Sequence, residues 1–473
     1  MNRPVAAVVM LGLVLGLAAP APAALVVDQA LTDINQIRSA TNNPYFGAGD
    51  TQDVAAINLT WTLSGPINAT SGGAAAGGTL QGIGFHDIDL SVAALRSGTG
   101  VTVANGLSGV TMDYQFAVTS DFAPRNLIST TLAGSDPDLT VAYNVAKTNH
   151  YISTGNHRPN ILTLHGLGPY QPLYVQLIGG QHAWSGTTTI FANGDGTTEG
   201  SGTNVGTWAS NKTNMTPGLA AFQTNAKANG DLTLEVQTGF YSGIAAVTVS
   251  GQQTPWLYSQ TGPNGTFTAA TDDLINQGSP SLLSQSNSGG SLYSSDPLGT
   301  ALNNGTIYAG GGTGQTDGGK AYCPQNGSSI TFDLLILPAV KGYDITAIEA
   351  ITGVGGNQPR ASQKMRIEYS EVGSPGFQLL VSENDWTFID DSAAMELKAG
   401  VYGPAGSVIA HAVDQLRFTF FDIPSPSLAT SMYREIDVFG TALVPEPSTL
   451  GLLAVGLAGL GGCGLLRRRR RLR

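Results

Sequence analysis

The side chains of this 473-residue chain that could do chemistry are six histidines, four close aspartate pairs and two cysteines. His86, His150, His157, His165, His182 and His411 include no H-E-x-x-H and no pair at i, i+4, so the helical spacing of a zinc protease is absent. His150 and His157 lie seven apart in a loop containing Gly and Asn, and zinc there would need ligands from elsewhere; surface-loop histidines are the plainer reading. There is no G-x-S-x-G to lift a serine above a sheet. Asp87 and Asp89, Asp136 and Asp138, Asp272 and Asp273, and Asp390 and Asp391 could each do acid and base work. A glycosidase, however, needs two carboxyls about 5 to 9.5 Å apart across a cleft, which spacing in sequence does not supply. The same pairs could give oxygen ligands to a structural calcium ion, the single cofactor the sequence allows. No EF-hand spacing is present, and Asn193-Gly194-Asp195-Gly196 lacks the closing glutamate, so it reads as a tight turn without metal. No catalytic residue and no metal ligand is assigned.

The elements that would hold these residues are strands. Short apolar or alternating runs, Ile161 to Leu167, Leu173 to Ile178, Thr187 to Ala192, Leu232 to Gln237 and Ile244 to Ser250, are punctuated by Gly, Asn, Asp and Ser. Helical periodicity is confined to Gln29 to Thr41 and to the C-terminal tail. The expected fold is all-β, with two β-sandwich, jelly-roll-like modules at 54–251 and 255–441 after an N-terminal segment at 24–53. Cys323 reads as a buried thiol, and no disulfide framework is available.

The two ends are addresses. Arg3, the apolar run Val5 to Leu17 and the Ala21-Pro22-Ala23 site make residues 1–23 a secretory signal peptide, with Ala21 and Ala23 at the cleavage positions, handled by the Sec machinery. At the other end, Pro445-Glu446-Pro447 precedes an uncharged run at 450–466 and then Arg467, Arg468, Arg469, Arg470 and Arg471, with Arg473 beyond. The seventeen residues of that run cover about 26 Å at ~1.5 Å each, a short transmembrane helix, and the arginines hold the tail in the cytoplasm. Prolines at 445 and 447 keep the triplet extended in front of the span.

Triplet, helix and arginines in this order, over 444–473, resemble the PEP-CTERM sorting signal. That resemblance implies an exosortase as partner, cleavage near the triplet, and a transient stay in the inner membrane before the cell surface or extracellular matrix. The second module resembles discoidin-like, galactose-binding-like domains in Arg417-Phe418-Thr419-Phe420 and in Tyr433-Arg434-Glu435-Ile436-Asp437-Val438-Phe439-Gly440. Arg360, Gln363 and Lys364 before the strand ending in Tyr369-Ser370 add to this likeness, with Arg360 either a ligand contact or a brace for loops. Leu173 to Leu177, Trp184 and Thr187 to Ala192 look like the middle of a galactose-binding-like jelly roll. Trp184, Tyr343 and Trp386 are the aromatic candidates for stacking on a sugar.

Without Arg3 and the six tail arginines the body keeps 15 of 22 Lys+Arg, and without Glu446 it keeps 32 of 33 Asp+Glu, a balance of −17. Such a charge repels nucleic acid and anionic headgroups, so no nucleic-acid partner is expected. The reading is a non-catalytic exported surface protein that binds an extracellular polysaccharide or another surface molecule. The alternatives are a secreted glycan-active enzyme and a structural spacer. Replacing Pro445, Glu446 and Pro447 with alanine is expected to leave export intact and trap full-length protein in the inner membrane. Fractionation with an antibody against the tail checks this, and equal processing of variant and wild type would sink the sorting reading.

Overall fold

A computed structural model describes residues 24–444 apart from 34–35, 37–50, 61–78, 81–82, 85, 90–96, 104–106, 117–149, 152–158, 180–186, 199, 210–217, 239–242, 245, 290–298, 308–320, 339, 354–359, 391, 393–394, 406 and 424–430. The expected signal peptide with Ala21 and Ala23, Trp184, Pro445 to Pro447, the run 450–466 and the arginines after it lie outside the described residues. Among the described residues no helix is long and apolar enough to cross a membrane. Regular structure there is strand, apart from the helical residue Gln36 and a short 3-10 helix at Thr300–Asn303. The chain divides into two compact units, 1–256 and 257–473.

The first unit is a sandwich of two six-stranded sheets. One runs, in spatial order, Leu25–Ala30, Gly218–Asn225, Pro172–Gly179, Ala246–Gln252, Thr51–Thr60 and His86–Asp89, the last pair being parallel. The other runs Thr203–Ala209, Thr187–Ala192, Leu232–Thr238, Pro159–His165, Thr111–Gln115 and Ser97–Thr102. Strand side chains alternate between faces, so Leu173, Val175 and Leu177 of the first sheet join Leu162, Leu164, Leu232, Leu234 and Val236 of the second in one buried core. The strand runs anticipated from 161 to 250 are present as strands. Of the helix expected over Gln29 to Thr41, Gln29 and Ala30 instead end an edge strand in which Leu25 packs on the core and Val26 is exposed, while Gln36 is helical and 34–35 and 37–41 lie outside the described residues.

The second unit folds one connected set of strands into two facing layers. Trp256–Pro263, Met395–Tyr402, Tyr343–Gly353 and Tyr433–Ala442 form one; Leu282–Ser288, Ser329–Leu334, Ala410–Phe420 and Gln363–Glu371 form the other. They join at a corner where Tyr343 and Ile345 pair with Val413 and Ala410. Ile348, Ala350, Ile436 and Val438 then meet Phe332, Phe418, Phe420 and Ile367 in a common core.

Tyr433 and Ile436 are three apart, yet both belong to that core. Simple alternation would send one of them outward. A shift of register at Ile351 and Thr352, where Thr352 pairs with Tyr433 and Ile351 with Glu435, leaves Arg434 as the extra residue of a bulge and restores the parity.

Gln363 is a buried tie between the layers. Its Nε2 donates to the carbonyls of Ala350 (2.9 Å) and Leu397 (3.1 Å), and its Oε1 accepts from the indole Nε1 of Trp386 at 3.0 Å. Trp386 is fully buried, edge-on to Phe388, and Tyr343 is buried with its hydroxyl donating to the Leu335 carbonyl at 3.1 Å. Neither ring presents a face to solvent, which corrects their expected place as sugar-stacking residues; a large ring that closes a core has no exposed face left to stack. Trp386→Ala is expected to destabilise the second unit by about 3–5 kcal/mol, through lost burial and a stranded Gln363 oxygen. Chemical denaturation followed by circular dichroism checks this.

Candidate functional site

The residues that gather outside the cores lie on the outer face of the second sheet of the first unit. Because Leu162, Leu164, Leu232 and Leu234 point inward, their neighbours Thr163 and Thr233 point outward, and so does Asp113 beside Met112. Antiparallel register sets Asp113 opposite Thr163, and Thr163 opposite Thr233, a polar row across three strands. His165, Lys227 and Asp231 close one end of this row and the turn 195–197 another, around an open groove of about 780 Å³.

His165 is gripped from both sides. Its Nδ1 lies 2.7 Å from Asp231 Oδ1 and its Nε2 lies 3.4 Å from Asp113 Oδ2. Partial burial works against the imidazolium, but the two carboxylates outweigh it and raise the His165 pKa above its ordinary value. Asp113 is itself fixed by the backbone N–H of Gly100 at 2.6 Å. The Lys227 ammonium donates to the Gly194 carbonyl and to Thr233 Oγ1, so this cation stitches the turn to the sheet. The Asn193 to Gly196 turn closes on itself: Asp195 Oδ1 accepts from the N–H groups of Thr197 (2.7 Å) and Thr198 (2.6 Å), which lowers its pKa. Hydroxyls, carboxylates and one histidine in an open groove suit hydrogen bonding to a polyhydroxylated ligand.

Of the residues singled out in the sequence, Tyr343 and Trp386 are core, and Arg360 is half-buried at the foot of strand Gln363–Glu371, its carbonyl accepting from the Met432 N–H at 3.3 Å. None belongs to the groove. In sequence, His165 falls in the strand run Ile161 to Leu167 and Asp195 in a metal-free tight turn, and neither is given a role at a site. The one signal that could have lifted His165 is its parity, since it ends the alternation Ile161, Thr163, His165 on the outer face.

A second group of titratable residues is buried in the second unit. Asp273, Glu435 and Asp437 carry 2%, 0% and 1% exposure. Backbone N–H groups of Gly305 and Ala270 reach Glu435 Oε1 (3.1 Å) and Asp437 Oδ1 (3.2 Å), and that of Ile275 reaches Asp273 Oδ1 (2.9 Å). The other oxygens, Asp273 Oδ2 and Glu435 Oε2, have no hydrogen-bond partner among the described residues. Burial first, and the neighbouring carboxylates next, push Glu435 up to about 9 and Asp437 up to about 7. Asp273 is one of the aspartates offered above to calcium. Among the described residues no group of three or more His, Cys, Asp or Glu is arranged to hold a metal.

Residues 443–471 match the PEP-CTERM protein-sorting motif, so the chain carries that signal at its C-terminus. No curated protein matches the chain. Among solved structures, it is similar to a fucolectin from the serum of striped bass, Morone saxatilis, at 8% identity and a TM-score of 0.23, with 74% of this chain and 98% of that one covered. It is similar to allantoicase from Saccharomyces cerevisiae at 13% identity and a TM-score of 0.21, over 62% of this chain and 79% of that one. The C-terminal domain of a chitobiase from Bacteroides fragilis is similar at 18% identity and a TM-score of 0.21, covering 34% of this chain and 93% of that one.

Between the unfolded and folded pKa of Glu435, from about 4.5 to about 9, the folded state binds the extra proton. Its stabilisation is therefore complete below pH 4.5 and is lost as pH rises through 9. The melting temperature of the second unit is expected to fall by about 5 °C or more between pH 5 and pH 9, and Glu435→Gln to flatten the slope. Calorimetry across that range checks it. A calcium titration at pH 9 is the companion arm, and a melting temperature restored by calcium would give the cluster a cation in place of a proton.

Proposed function

We propose that this is an exported cell-surface or matrix protein, sorted by an exosortase after passage through the Sec machinery. We infer that its first unit binds a neutral stretch of extracellular polysaccharide in the groove around His165. The sorting motif supports the destination. The polar row Asp113, Thr163 and Thr233, flanked by His165 and Lys227, is the observation that carries the binding reading. Asp113, Asp195 and Asp231 outnumber the cations in the groove, which favours hydroxyl-rich neutral sugars over uronates, phosphates or nucleic acid.

One observation favours a second reading, a glycan-active enzyme: Asp113 and Asp231 stand on either side of His165 and could share acid and base work. Isothermal titration calorimetry of the mature protein with purified polysaccharides separates the two. Asp113→Asn and His165→Ala are each expected to weaken binding about tenfold, the size of one charge-assisted hydrogen bond, with the thermal melt of the fold unchanged. Release of reducing ends would favour the enzyme, and no binding to any polysaccharide of the producing cell would leave a spacer.

A further inference from the structure

The strongest unexplained surface lies where the chain leaves the second unit. Leu334-Leu335-Ile336-Leu337-Pro338-Ala339-Val340 is a seven-residue run without a charge, and Lys341 follows it. Globular surfaces bury such a run or break it with polar residues, yet Ile336 is 36% exposed and Leu337 50%. Val444, the last described residue, is 59% exposed.

Hydrogen bonds hold this loop in one place. The Leu335 N–H donates to the Ser281 carbonyl, the Val340 N–H turns back to the Leu337 carbonyl, and the Tyr343 hydroxyl holds the Leu335 carbonyl from below. The same loop brackets the exit: the Lys341 N–H donates to the Leu443 carbonyl and the Leu443 N–H to the Gly342 carbonyl, both at 2.8 Å. An exposed apolar loop is thus stapled to the residue at which the sorting motif begins.

Chain length then limits what can cover it. From Val444 to the start of the apolar run at Leu450 there are six residues, which span about 21 Å at most when fully extended. The headgroup layer is roughly 5–7 Å deep, so the loop stands within reach of the lipid surface whenever the tail is in the membrane.

We propose that the loop Leu335–Lys341 is a membrane-contact surface. Ile336 and Leu337 enter the interfacial layer of the outer leaflet, Lys341 meets lipid phosphate, and Pro445-Glu446-Pro447 is held at the bilayer surface until it is cut. The proposal rests on the reading of 450–466 as a membrane anchor. It also accounts for the absence of any carboxylate between Asp333 and Asp344 in a body whose balance is −17, since an acidic loop would be repelled by anionic headgroups.

The test uses the full chain in vesicles of phosphatidylethanolamine and phosphatidylglycerol, with Cys323 and Cys463 replaced by alanine. An environment-sensitive NBD fluorophore is placed by Leu337→Cys, and in a control chain by Leu379→Cys, a side chain that is 59% exposed on a different strand. Flotation of both chains, with lipid-borne spin labels quenching position 337 about twofold or more and leaving 379 unchanged, is the expected result. Flotation without quenching at 337 would overturn the membrane contact while keeping the anchor. Failure to float would overturn the anchor and the contact with it. Ile336→Asp with Leu337→Asp is expected to slow removal of the tail in cells several-fold; slowing without quenching at 337 would mean that a protein and not lipid covers the loop, and would overturn the proposal too.

Discussion

The second unit depends on the pairing of its closing strand, Tyr433–Ala442, with Tyr343–Gly353. That pairing takes three charged side chains, Arg434, Glu435 and Asp437, out of water together, which is costly unless each is answered. Arg434 is answered directly. Its Nε donates to the Gly353 carbonyl at 2.6 Å and its Nη1 lies 3.3 Å from Glu396, a pair with 3% and 0% side-chain exposure. The carboxylates are answered by backbone N–H groups from the loops around residues 270 and 305 and, for Glu435, by a proton. The bulge at Arg434 lets one strand do both jobs, turning Tyr433, Ile436 and Val438 to the core while the charged residues face a loop-covered layer.

The same pairing determines where the chain leaves. Tyr343 stands opposite Ala442, so the next residues must pass Gly342 and the loop before it. Gly342 has a φ of +113°, and a Cβ there would meet the Ala412 backbone at 2.5 Å, so no other residue lets the corner close. The core, the buried acids and the path of the chain as far as Val444 therefore share one constraint.

What could be read from the sequence follows from how far each feature reaches along the chain. The sorting signal acts through covalent order, prolines before an apolar run before arginines, so it is visible without any fold. Strands such as Pro172–Gly179 and Leu232–Thr238 were visible because apolar runs and turn residues are local. The groove was not, because Asp113, His165 and Asp231 meet only through the register of separate strands, which the sequence does not print. Trp386 and Tyr343 misled for a related reason: an aromatic residue next to polar ones looks the same in sequence whether it stacks on a ligand or fills a core, and only the opposite sheet decides.

The electrostatics of His165 bear on which kind of site the groove is. A general base needs a ring nitrogen with a free lone pair facing the proton it removes. Here both nitrogens face carboxylates, and the raised pKa keeps the ring in the charged form, which has no lone pair to offer, over a wider pH range. An imidazolium between Asp231 and Asp113 does something else well. It compensates their charge and holds the two carboxylates still, one of them further fixed by Gly100, so that their remaining lone pairs are aimed before a ligand arrives. Rigid acceptors beside outward-facing threonines lose little entropy when a sugar hydroxyl replaces water, which is what a binding groove on an exported protein needs. The geometry therefore argues against His165 as a general base and for its part in positioning Asp113 and Asp231.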